Sequence, residues 1–145
     1  MILEDRLRAS MLSVAALMAV GTLGELVLTE HTADPVQWVP FVLIGAELCA
    51  IALFLVAPRM VAALRATSVL LVLGSAFGIW EHLEHNYAFE AEIRPSAPAS
   101  VLAREALYGA SPLLAPGAIG AIGLLAALST LGRSTSTNHR RPIAP

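Results

Sequence analysis

The stretch ATSVLLVLGSAFGIWEHLEHNYAFEAE, residues 66–92, changes character at Trp80. Residues 66–80 carry no charge, and then four carboxylates and two histidines arrive within the next twelve positions. An uncharged run of that apolarity belongs in hydrocarbon, so the junction reads as a membrane surface, a metal site, or both. The rest of the chain bears on which.

Of the 145 residues, 57% are hydrophobic and 14% charged, with a mean hydropathy of +0.71. Soluble domains carry about a quarter charged residues, and here the few charges are bunched. Four long apolar runs remain, roughly 9–29, 36–57, 60–80 and 106–131. Each supplies the ~20 residues that a helix needs to cross a bilayer. None alternates with period two, so a barrel is excluded and helices are required. The expected fold is all-α: a polytopic four-transmembrane-helix bundle over 1–131, followed by a polar, disordered cytoplasmic tail over 132–145. The first run is not read as a signal peptide, because EDRLR lacks a net positive charge and the run contains Glu25. The single cysteine, Cys49, lies inside the second run and excludes an intrachain disulfide or a cysteine metal cage.

All nine basic residues are arginines. In a four-span chain Arg6, Arg8, Arg59, Arg65, Arg133, Arg140 and Arg141 share one face, and Arg94 and Arg104 the other. The positive-inside rule puts both termini in the cytoplasm. Trp38, Trp80, Tyr87 and Tyr108 then mark the outer interface. The connection over 83–105 reads as the one sizeable loop, ending in a short helix capped by Ser100 that runs into the fourth span past Pro112 and Pro116. Gly74 and Gly78, and Gly117, Gly120 and Gly123, provide small-residue faces for close packing within the bundle. Gly117, Gly120 and Gly123 are also the candidate face for a homo-oligomer.

Three acids fall within or at the end of spans: Glu25, Glu47 and Glu81. No lysine exists to pair with them and Arg65 lies towards the opposite surface, so they must be protonated, hydrogen-bonded or neutralised by a cation. On the third helix Gly78, Glu81 or His82, and His85 share a stripe, which predicts that Glu81 and His85 point inwards towards Glu25. Carboxylates and imidazoles in this arrangement suit Zn²⁺, Mn²⁺ or Fe, so Glu25, Glu47, Glu81, His82, His85 and His31 form the candidate ligand set in the outer half of the bundle. The order Glu-His-x-Glu-His departs from the paired Glu-x-x-His of di-iron bundles. Two other readings stand beside the metal site: a small proton-coupled transporter or channel subunit using Glu25 or Glu47, and a structural subunit whose acids are only hydrogen-bonded.

The segments NYAFEAE (86–92) and LYGASPLLAPG (107–117) resemble the C-terminal half of a family of small bacterial four-helix membrane proteins to which no activity is assigned. That resemblance implies a multi-pass protein of the bacterial cytoplasmic membrane, with the lipid bilayer as its partner, and no catalytic residue. No phosphate loop, nucleophile elbow or nucleic-acid-binding patch is present in the sequence.

Overall fold

The computed structural model describes residues 3–133, and the expected disordered tail lies outside the described residues except for its first two positions. The described chain is helical. Helix α1 spans Leu3–Leu28, α2 Val39–Val56, α3 Val61–Ile93, α4 Ala99–Ala106 and α5 Leu114–Ser129, with 3-10 turns at Pro35–Trp38 and Pro58–Met60. Three helical stretches, Leu3–Leu28, Pro35–Val56 and Pro58–Ile93, are long and apolar enough to cross a membrane, and α5 is a shorter apolar helix of 16 residues.

Two expected boundaries are corrected. The third helix does not end near Trp80. It continues to Ile93 as a 33-residue helix, about 50 Å long. Crossing from apolar to polar sequence changes what the helix faces, not whether its backbone bonds close, and no glycine or proline interrupts it before Pro95. The fourth run is not one span over 106–131. Helix α4 stops at Ala106, and turns occupy the chain up to α5 at Leu114. The N-cap of α4 is Pro98, without a side-chain cap bond, so Ser100 does not serve as the cap.

Helix α5 is packed between α1 and α3, and α2 closes the bundle on the other side of the same two helices. Helices α1 and α3 lie diagonally apart, with no pair of Cα atoms within 8 Å. Glycines set the α3–α5 distance. A Cβ on Gly123 would lie 2.7 Å from the Ser68 main-chain oxygen, and one on Gly120 would lie 2.6 Å from Ser75 Oγ. Ser75 donates to the Pro116 carbonyl at 2.6 Å, tying the first turn of α5 to α3. Gly120 and Gly123 are therefore spent inside the bundle, and of the three expected interface glycines Gly117 alone has open space around its Cβ position.

The interior mixes large residues such as Ile44, Leu64, Leu71 and Ile122 with small ones such as Ala15, Ala19, Ser68, Ser75 and Ala126, while Leu17, Val42, Leu55, Val69, Leu73 and Phe77 are exposed. At the end holding the start of α1 and the finish of α5, arginines serve the carbonyls of the turn that follows α5. Arg65 Nη2 donates to the Thr130 and Arg133 carbonyls at 2.8 Å each, and Arg8 Nη2 donates to Leu131 O at 2.7 Å. Cations there satisfy orphan acceptors and complement the helix dipole.

Candidate functional site

Two polar centres emerge, one in the middle of the bundle and one at the end away from those arginines. The first is Glu47. It sits near the middle of α2 on the inward stripe Ile44, Glu47, Ile51, Phe54 and is fully buried. Ser68 Oγ lies 2.7 Å from its Oε1 and also 2.7 Å from the Leu64 carbonyl. Its Oε2 has no hydrogen-bond partner among the described residues. Arg65, one turn away on α3, is committed elsewhere, with Nε on Thr130 Oγ1 at 2.9 Å and Nη2 on the α5 terminus. No cation pairs with Glu47 among the described residues. A serine hydroxyl has one hydrogen and here faces two acceptors. Both short contacts are satisfied together when Glu47 carries a proton and donates to Ser68, which donates to Leu64.

The second centre is the rim. Helix α1 ends in a Schellman motif, with His31 N–H on Leu26 O at 3.0 Å and Glu30 N–H on Val27 O at 3.1 Å. Glu30 takes the left-handed position at φ 52°, where glycine is usual. His31 follows this turn, half-buried and within electrostatic reach of His82. Burial, and then the nearby charge of His82, hold the His31 imidazole below its ordinary value of 6.5. His82 Nδ1 donates to the Pro112 carbonyl at 2.9 Å, so Nε2 is the ring nitrogen left for another partner.

One turn further along α3, Asn86 is buried and joins the connection between α4 and α5 to α3. Its Nδ2 donates to Ala106 O at 3.0 Å and Ser111 O at 2.9 Å, and its Oδ1 accepts the Ser111 N–H at 2.9 Å. Gly109 leaves room for it, since a Cβ there would run into the Asn86 side chain. Beyond Asn86, Arg94 pairs with Glu90 at 3.3 Å and Glu105 at 3.6 Å, closing α4 onto the end of α3. Arg104, hydrogen-bonded to Glu105 at 2.8 Å, is the main cause holding that carboxyl below its ordinary value.

The six sequence-derived candidates are therefore dispersed. His31 and His82 lie within electrostatic reach of one another. Glu47 does not join them, because its partner Ser68 is fourteen residues, about 21 Å of helix, from His82. Glu25 is exposed in the last turn of α1, on a helix that does not touch α3. Glu81 is half-buried, and His85 is exposed rather than turned inwards. The inward stripe runs Ser68, Ser75, His82, Asn86 and Glu90, which takes the His82 alternative of the expected stripe and puts Asn86 in place of His85. No group of three or more His, Cys, Asp or Glu side chains is arranged to hold a metal ion among the described residues. Asn86 and Ser68 are the site residues that sequence reasoning passed over. Both were signalled by being polar at heptad-like spacing in or next to an apolar helix.

No family model, curated protein or solved structure matches the chain.

Proposed function

We propose that this chain is a four-span membrane protein with both termini cytoplasmic, and that Glu47 is the proton-carrying group of a small proton-coupled transporter or channel subunit. One observation carries the reading: a fully buried carboxyl in mid-bundle, without a cationic partner, keeps one oxygen free of any hydrogen bond among the described residues. An ionisable group so placed costs a few kcal/mol in a membrane and normally marks an ion or proton path. The apolar exterior and the close α3–α5 approach at Gly120 and Gly123 support the membrane placement. The gathering of Arg8, Arg65 and Arg133 at one end supports the orientation. Membership of the bacterial family that the C-terminal segments resemble, and a second copy engaged through Gly117, belong to the same proposal.

The test is proton uptake into vesicles containing the purified protein under an imposed potential. The wild type conducts protons, Glu47→Gln abolishes the flux, and Glu25→Gln leaves it unchanged. Equal flux in wild type and Glu47→Gln overturns the proposal. Thiol labelling in a Cys49→Ala background, outside for Ser96→Cys and inside for Ser136→Cys, tests the topology.

A second reading, a divalent ion at the rim, is favoured by His82. An imidazole whose Nδ1–H bonds a backbone carbonyl is oriented as metal-ligating histidines are. His31 lies within electrostatic reach of it, and Glu81 is its chain neighbour. Thermal stabilisation by Zn²⁺, Mn²⁺ or Fe²⁺ that is lost in His82→Ala supports this reading, and its absence removes it.

A further inference from the structure

A groove of about 470 Å³ runs between the extension of α3 and α4, lined by Trp80, Leu83, Glu84, Tyr87, Ala103, Ala106 and Leu107. Its volume falls in the range of small-molecule sites. Trp80, Glu84 and Tyr87 are spaced i, i+4 and i+7, so the carboxylate stands between two aromatic side chains on one face of α3. Glu84 is exposed and forms no ion pair among the described residues, although Arg94 and Arg104 lie near the ends of the same two helices. Those arginines are spent on Glu90 and Glu105. An unpaired carboxylate flanked by exposed tryptophan and tyrosine is complementary to an organic cation, which gains from both the charge and the ring faces. The position selects the source of that cation. Trp80 ends the uncharged run of 66–80, so the groove opens at the headgroup level of a bilayer, and its remaining lining of Leu83, Ala103, Ala106 and Leu107 is apolar.

We infer that this groove binds the ammonium headgroup of a zwitterionic phospholipid, with Glu84 against the ammonium, Trp80 and Tyr87 beside it, and the acyl chains returning past Trp80 along the uncharged run of 66–80. The inference rests on the membrane placement proposed above but not on proton transport through Glu47.

The experiment uses the full chain carrying Trp38→Phe, so that Trp80 is the only tryptophan, in mixed micelles with brominated phosphatidylethanolamine or brominated phosphatidylglycerol. Trp80 fluorescence is quenched at roughly two- to fivefold lower mole fraction of the ethanolamine lipid, the range that an exposed cation–π contact supports. Glu84→Gln, which melts at the wild-type temperature because the side chain is exposed and unpaired, removes that preference. Soluble phosphoethanolamine does not reverse the quenching. Equal quenching by both lipids, a preference that survives Glu84→Gln, or full competition by soluble phosphoethanolamine each overturns the site while leaving the membrane reading intact. No quenching by either lipid overturns both.

Discussion

Replacing Asn86 by alanine tests the device that shortens the fourth apolar segment. Asn86 supplies three hydrogen bonds, at 3.0, 2.9 and 2.9 Å, to the main chain of Ala106 and Ser111. Each such bond contributes about 1 kcal/mol net. The loop can recover part of that by exposing its groups to water, so the expected loss is about 2–3 kcal/mol. Because the bonds hold the connection and not the helices, the loss should appear as local opening. Hydrogen exchange read by mass spectrometry should show protection over 107–113 falling by roughly 30- to 150-fold, with residues 64–75 of α3 unchanged. Asn86→Asp is the sharper variant. It keeps the acceptor for Ser111 N–H but sets an oxygen against two carbonyls, so at neutral pH it should cost at least as much as alanine. Gly109→Ala should be costly in the wild type and only partly relieved in Asn86→Ala, since the Cβ retained at position 86 would still lie 2.7 Å from the new methyl group. Unchanged exchange over 107–113 in Asn86→Ala, or wild-type protection in Asn86→Asp, would refute the reasoning.

Gly123→Ala should destabilise by about 1–3 kcal/mol, because the new Cβ meets backbone that cannot move aside, whereas Gly117→Ala should be neutral or slightly stabilising; thermal melts in detergent compare them. Glu30→Gly should stabilise by up to about 1 kcal/mol by relieving the left-handed conformation at φ 52°, and a lower melting temperature would argue against that strain. Acidification should loosen the turn after α1. The His31 pKa in the folded chain lies below its ordinary value of 6.5, so this contribution is full above 6.5 and is lost as pH falls through the lowered value. Amide exchange over 29–34, corrected for its intrinsic pH dependence, should rise on that acid side in the wild type and stay level in His31→Gln.

The apolar helices α1, α2 and the first half of α3 were legible because long uncharged runs have few alternatives to a helix. The error at Trp80 came from treating a change of polarity as a helix end. EHLEHNYAFEAE has no breaker, and the first proline after it is Pro95, so the stop signal lay fifteen residues downstream. The break before α5 was harder to find. LYGASPLLAPG is apolar enough to sit in a span, and only the third dimension shows where its carbonyls go: Ala106 and Ser111 to Asn86, Pro112 to His82, Pro116 to Ser75. Composition records polarity, and it is silent on which distant side chain satisfies a given backbone group.

Glu25 and Glu47, each an acid within an apolar run, looked equivalent in sequence, and their different fates have a physical cause. In α2 Glu47 is the one carboxyl among apolar neighbours, so burying it inside the bundle fixes which face of the helix turns inwards. Glu25 lies in the last turn of α1, where the helix can leave its carboxyl exposed, so packing is free to choose another face, that of Leu12, Ala15, Ala19 and Leu26. The same competition sets the phase of α3. Polar residues at Ser68, Ser75 and His82 recur at strict seven-residue steps, and the first two are buried. Extending that seam selects His82 over Glu81 and leads to Asn86 in place of His85. Small polar residues that accept close packing in mid-helix are therefore a better guide to the interior than charges at its mouth, since a charge at the rim has water as an alternative partner and Ser68 and Ser75 do not.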